Sequence, residues 1–374
     1  MAEGGASGRG DGHVDGHGAG GEGARGLPGR LGRLFEASAP GGPDGARALD
    51  LVTLGRVGMD LYAREPDVDF AEVSGFDKGI GGSPGLIAIG AAALGLRAGI
   101  VSRVSDDVVG RYVTDDLARR GIDVSGVATD SSGTRTSLAL TELRAEGCAV
   151  VIYRNDAADL ALTAADVDAS RIGEARALAV SGTALSREPS RSAALRAVQL
   201  AADAGTAVVL DLDYRAYTWA SVAEAGEVYA ALAPRADVLI GNREEFAVLG
   251  IPESASAREV GARCLVGETS TVLVKAGADG SEVFTIDGDA FAQAPFAVDT
   301  VKPFGAGDAY AAATIAGLVE GRSLRESVRR GAAAAAIVVS SRACADAMPD
   351  AAALDAFLAA RAAPSSPPTD AVRP

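Results

Sequence analysis

Apolar residues fall into short, nearly unbroken runs through the middle of the chain. Leu51–Gly55, Ala98–Val104, Ala177–Ser181, Ala207–Leu212, Val238–Gly241 and Thr271–Lys275 are all strand-length and rich in Val, Leu, Ile and Ala. A strand apolar on both faces is covered on both faces. Helical stretches separate the runs at Ser83–Leu94, Val109–Arg120, Ser190–Ala204, Ala223–Leu232 and Ala257–Gly267. Strand–helix alternation of this kind predicts a mostly parallel sheet between two helical layers, an α/β fold of three layers, α/β/α. Ser83 reads as an N-cap with Pro84 in the first turn, and Gly95 and Gly121 as stops. Weaker, more polar strand patterns stand apart at Phe70–Lys78, Ser137–Leu143 and Ala149–Tyr153. Val283–Ile286 and Ala290–Gln293, split by Asp287-Gly288, read as a hairpin. Three helices close the chain, one from Asp308 onward, then Ser323–Ser340 and Asp350–Ala360.

The two ends read differently. Residues 1–47 form a Gly-rich leader of low complexity and residues 363–374 a Pro/Ser-rich tail, both expected to be disordered. The folded domain is therefore expected over 48–362. Net charge is −15, which argues against a nucleic-acid surface. The apolar runs are too short to span a bilayer and no signal segment is apparent, so no membrane partner and a cytoplasmic location are expected. Cys148, Cys264 and Cys344 have no metal-binding or disulfide spacing. The only histidines, His13 and His17, lie in the leader. Carboxylates, Lys, Arg and backbone amides must carry the chemistry.

The polar loops fall at the carboxyl ends of the predicted strands, where open α/β sheets bind ligands. Asp60 follows the first strand, Asp213 and Arg215 follow Ala207–Leu212, Asn242 follows Val238–Gly241, and Lys275 ends the next. The densest signal is VKPFGAGDAYAAATIAGL. Phe304–Gly307 reads as a loop and Asp308 onward as a buried helix. Gly305, Ala306 and Gly307 would expose backbone N–H groups at the positive end of that helix, a site for phosphate. The plain alternative is ordinary capping by Asp308. Gly81-Gly82 before Ser83–Leu94 is a second place of close approach, with capping again the simpler reading. Arg154 and Arg215 sit at strand ends and suit a carboxylate. Their plain reading is ion pairing with Asp156, Asp159 or Asp213.

These motifs resemble the ribokinase-like (PfkB-type) carbohydrate kinases, from about Asp50 to Leu358. The resemblance implies a ribokinase-like fold with a small β-lid from about 62–78 and 134–153. It implies ATP-dependent phosphorylation of a primary hydroxyl, with Asp308 as base and Gly305, Ala306 and Gly307 as anion hole. Asp60, Gly81, Gly82, Arg154, Asp213 and Arg215 would bind substrate. Asn242, Glu245, Lys275, Gly277 and Gly280 would bind the nucleotide, with Glu245 reaching Mg²⁺ through water. The resemblance also admits a monovalent cation and a homodimer. GRVGMDLY, GIGGSPGLIAIG, YRNDAADL, VSGTALSREPSR, LDYRAYTW, KPFGAGDAY and DAMP are similar to the group within this family that acts on a ring-opened 2-deoxy-5-keto sugar acid in inositol catabolism.

Two departures stand out. Leu86 replaces an asparagine that usually touches a sugar hydroxyl, so Leu86 either faces a deoxy position or turns into the core. Lys302-Pro303 replaces a usual Asp-Thr. Other readings are a 2-keto-3-deoxygluconate kinase, a general sugar kinase, or a catalytically weak sugar sensor on the same fold. A dinucleotide-dependent dehydrogenase lacks the early GxGxxG.

Overall fold

The computed structural model describes Gly32 and residues 47–144 and 147–361. The strands are β1 (Leu49–Leu54), β2 (Gly58–Pro66), β3 (Phe76–Gly81), β4 (Ala98–Ser105), β5 (Asp123–Asp130), β6 (Leu138–Leu143), β7 (Val150–Tyr153), β8 (Ala175–Ser181), β9 (Ala207–Asp211), β10 (Val238–Asn242), β11 (Thr271–Lys275), β12 (Ser281–Thr285) and β13 (Ala290–Gln293). The helices are α1 (Ser83–Ala93), α2 (Val108–Arg119), α3 (Ala164–Asp168), α4 (Ser190–Ala204), α5 (Val222–Leu232), α6 (Arg243–Ala247), α7 (Ala257–Cys264), α8 (Ala306–Val319), α9 (Leu324–Val339) and α10 (Ala351–Ala360).

Nine strands form one sheet in the order β13-β12-β11-β10-β9-β8-β1-β4-β5. Pairing is parallel from β11 through β5, and β12 and β13 add the expected antiparallel hairpin. The central strands β1 and β9 are buried along their whole length, and β8 everywhere except at Arg176. Separate apolar clusters cover the sheet, one under α4, α5 and α7, the others under α1, α8 and α9. β5 was not expected. Its sequence, DVSGVATD, is an edge strand with mostly half-buried residues and no apolar run.

A second sheet, β3-β2-β6-β7, shares a cavity with the loops at the carboxyl ends of β8 and β9. This is the lid, and it starts earlier than expected. Asp60 lies inside β2, opposite Gly79 of β3, rather than in a loop after β1. Phe70–Glu72, expected to be strand, is a short 3₁₀ turn, and pairing begins at Phe76. Most of the leader and the tail beyond Arg361 lie outside the described residues. Arg47 is held by the domain, donating to the carbonyls of Ala175 and Ala204 at 2.6 and 2.7 Å.

Candidate active site

The site is centred on the start of α8. The helix begins at Ala306, two residues before the expected start, with Gly305 as N-cap at φ 82°. A Cβ on Gly305 would lie 2.9 Å from Cys344 Sγ, so both backbone and packing require glycine there. Asp308 is thus not a cap but a residue of the first turn, among the helix's unpaired N–H groups. A Cβ on Gly307 would meet only Lys275 Nζ, at 3.6 Å, so this glycine keeps a face open toward the lysine.

Ser83 is likewise not the cap of α1. Gly82 is the N-cap, at φ 93°, and Ser83 is the first helical residue. Its hydroxyl instead donates to Asp308 Oδ1 at 2.6 Å, joining the two glycine motifs directly. Burial pushes the Asp308 carboxyl up; the Ser83 bond opposes this, Asp213 adds to it, and Lys275 and Arg215 oppose it.

Around this turn the carboxyl ends of β9, β10 and β11 bring alternating charges together. Lys275 Nζ lies 3.3 Å from Asp211 Oδ1 and 3.6 Å from Glu245 Oε2. Arg215 lies 2.7 Å from Asp213 Oδ1 and 3.6 Å from Glu245 Oε1. Asn242 and Glu245 form a capping box at the start of α6, with bonds of 2.7 and 2.8 Å. Capping does not by itself explain a buried glutamate between two cations. Burial pushes Asp211 up to about 7; Lys275 opposes this, and Glu245, Asp213 and Asp308 add to it. Burial works against the Lys275 ammonium, but the surrounding carboxylates outweigh it and raise its pKa. Asp213 holds the Arg215 pKa up against burial.

Two cavities meet at the α8 turn. One, about 560 Å³, is lined by Gly277, Ala278, Gly280, Pro295, Ala332, Ala335 and Val339, and ends on Ala306. Its walls are mostly apolar. Gly280, at φ 90°, could carry no Cβ, because it would lie 2.1 Å from the Gln293 carbonyl.

The other cavity, about 620 Å³, lies under the lid and reaches Gly305 and Asp308. Asp60, Gly82, Arg154, Asp213 and Arg215 all line it, whereas Gly81 does not. Gly81 is glycine for another reason: a Cβ there would lie 1.8 Å from Asp60 Oδ1. Asp60 Oδ2 accepts from Tyr62 at 3.1 Å, while the buried Oδ1 has no partner among the described residues. Burial pushes the Asp60 carboxyl up against the opposing influence of Arg56, Tyr62 and Lys302.

Both arginines make the ion pairs that the plain reading expected. Arg154 gives Nε and Nη2 to Asp159 Oδ2 at 2.9 and 2.6 Å, and Nη2 to the Thr183 carbonyl, leaving Nη1 without a partner among the described residues. Pairing fixes these guanidiniums in the cavity wall rather than removing them from it. A third arginine, Arg56, also lines the cavity, with Nη1 donating to Ser137 Oγ at 2.9 Å. Sequence reasoning missed it, although it lies two residues past the end of β1. Leu86 is both a core residue and part of the cavity lining. It packs in the core, only 4% exposed, and gives the cavity an apolar floor.

A polar and an apolar cavity meeting at one helix N-terminus, under a lid on a doubly covered parallel sheet, define a phosphotransferase of ribokinase-like architecture. Residues 48–351 match the pfkB family carbohydrate kinase description, and the chain belongs to that family. Among its relatives is the 5-dehydro-2-deoxygluconokinase of Photobacterium profundum, 45% identical over 306 residues, covering 81% of this chain and 92% of the relative. The enzyme of the same name from Geobacillus kaustophilus is 41% identical over 318 residues, covering 84% and 95%. A PfkB protein from Polaromonas superposes with a TM-score of 0.70 at 30% identity, over 83% of this chain and 99% of that one. An Escherichia coli putative ribokinase II, solved in complex with ATP and Mg²⁺, gives a TM-score of 0.76 at 20% identity over the same shares, a likeness of fold.

Proposed function

We propose that this carbohydrate kinase transfers the terminal phosphoryl group of ATP to a primary hydroxyl of 5-dehydro-2-deoxy-D-gluconate, a step of myo-inositol catabolism. The carrying observation is the pair of cavities that meet at Gly305–Asp308. The apolar one takes the nucleotide between the Gly277–Gly280 turn and the alanines of α9. The polar one takes the sugar acid.

Phosphoryl transfer needs positioning, charge stabilisation and a group to accept the hydroxyl proton. The amides of Gly305, Ala306 and Gly307 face the transferred group, where negative charge is stabilised by fixed dipoles. Ser83 holds Asp308 Oδ1, leaving Oδ2 to take the proton. A pKa raised by burial makes this carboxylate a stronger base than an exposed aspartate. Asp60 Oδ1 accepts a sugar hydroxyl. Arg56, Arg154 and Arg215, set in one cavity wall, favour an acidic sugar over a neutral one. Leu86 faces the position that carries no hydroxyl in a deoxy acid.

Asp211, Asp213, Glu245 and Asp308 outnumber Lys275 and Arg215 here, a surplus of negative charge that suits a divalent cation. No cluster of three acidic, His or Cys side chains among the described residues could hold a metal directly. Glu245 would reach Mg²⁺ through water, and the ion when bound would neutralise charge on the phosphates. The lid strands β2, β6 and β7 exclude water from the transfer. This reading takes 48–362 as the kinase domain, with the leader and tail outside it. Among the described residues no helix is long and apolar enough to cross a membrane. We place the enzyme in the cytoplasm, and the likeness to its family admits a homodimer.

The test is Asp308→Asn in an ATP-consumption assay over sugars and sugar acids. Turnover should fall about 10²–10⁴-fold, the range of general-base assistance, while ATP still binds. Near-normal turnover would remove Asp308 from the role of base.

A further inference from the structure

We infer that Lys302 is a built-in cation that aims the Gly305 amide into the active site, through its hold on the Phe304 carbonyl. The inference rests on the reading of Gly305–Gly307 as the anion hole.

Lys302 has no exposed surface and is among the largest fully buried side chains. A buried ammonium is costly, and an apolar side chain of similar volume would fill the space without that cost. Among the described residues it has no ion-pair partner. Nζ instead donates to the Phe304 carbonyl at 2.8 Å and the Val338 carbonyl at 3.5 Å. The backbone N–H groups of Val301 and Lys302 both donate to the Val339 carbonyl, at 2.8 and 3.3 Å. Lys302 is therefore clamped by main chain and side chain to the end of α9. The carbonyls there carry the negative end of the helix dipole, which favours a cation. The titratable groups whose ionisation it influences are Asp60, Cys148 and Cys344.

The decisive geometry is that of one peptide group. In a planar trans peptide the C=O and the following N–H point in opposite directions. Phe304 C=O turned onto Lys302 turns Gly305 N–H away from it. That N–H has no acceptor among the described residues, and Gly305 lines the sugar cavity. Gly305 sits at φ 82°, where glycine has little preference of its own between conformations. Without the ammonium the Phe304 and Val338 carbonyls lose their shared donor, and only the Cys344 thiol, a weak donor 3.6 Å away, still holds the Phe304–Gly305 peptide in place. Lys302 touches neither reactant in this account, so it is a positioning residue.

The test compares Lys302→Met and Lys302→Gln with the wild-type enzyme in steady-state kinetics. The expected result is a fall in kcat of about tenfold to a hundredfold, somewhat less than outright loss of an anion-hole donor, with both KM values within about threefold. Lys302→Ala should regain turnover when refolded with propylammonium and not with propanol, which has the same shape and no charge. Should Lys302→Met not fold, this rescue decides. Folded Lys302→Met with kcat within about threefold of wild type, or equal rescue by propanol, overturns the inference. An inactive Asp308→Asn beside an active Lys302→Met would sink the role of Lys302 alone. An active Asp308→Asn would sink the site reading itself.

Discussion

Gly81→Ala tests the sugar site through a residue that never reaches it. Gly81 ends β3 in ordinary backbone, and its Cβ position lies 1.8 Å from Asp60 Oδ1 and 2.0 Å from the carboxyl carbon. That is about 1.6 Å short of ordinary contact, so the Asp60 carboxylate must move. Moving it breaks the bond from Tyr62 and displaces the carboxylate of a residue that lines the cavity. A hydrogen bond to a charged group is worth about 1.5–3 kcal/mol. Loss of the sugar contact should therefore lower kcat/KM for the sugar acid by about tenfold to 150-fold. ATP affinity, measured by calorimetry, should not change, because the nucleotide cavity shares no wall with Gly81. The sharper readout is a double-mutant cycle with Asp60→Ala. Once Asp60 is gone, Gly81→Ala should cost little more, since the two act through one group. Fully additive losses, or a single variant within about threefold of wild type, would refute Asp60 as a sugar contact.

Arg154→Ala should raise KM for the sugar acid by about tenfold or more, with KM for ATP little changed. It should also destabilise the fold by about 3–5 kcal/mol, because Asp159 would be left buried and unpaired; thermal melting and kinetics together separate the two effects. Arg215→Ala should show the KM effect with a smaller loss of stability, since Arg215 is 47% exposed. Unchanged sugar KM in both would reduce them to structural ion pairs. Asp211, raised from 3.8 to about 7 by burial, should make the ligand-free protein lose stability as pH rises from about 4 to 7. The sign follows because the unfolded chain releases this proton first. Asp211→Asn should flatten that part of a pH series of denaturation curves, and an unaltered slope would assign it to other groups.

The sequence by itself determined the layering of the large sheet. Val- and Leu-rich strands such as Val238–Gly241 must be covered on both faces, whatever their neighbours. It also marked the residues that need special backbone, Gly305 and Gly82, since a positive φ is a local demand. Tertiary structure alone decided what those motifs do together. Ser83 looked like a cap, and its hydroxyl turned out to hold Asp308, 225 positions away in the chain. Gly81 looked like helix capping, yet the Asp60 carboxylate on the neighbouring strand is what forbids a side chain. Lys302 looked like a departure from a motif, and only its burial against the end of α9 shows an ammonium bound by carbonyls. Arg56 and the weak strand β5 left no periodic signal, because one acts through a cavity and the other sits at an edge. Local pattern reports what each backbone segment must be. Which side chains share a cavity depends on contacts between segments far apart in sequence, and those are set only when the sheet and its lid close.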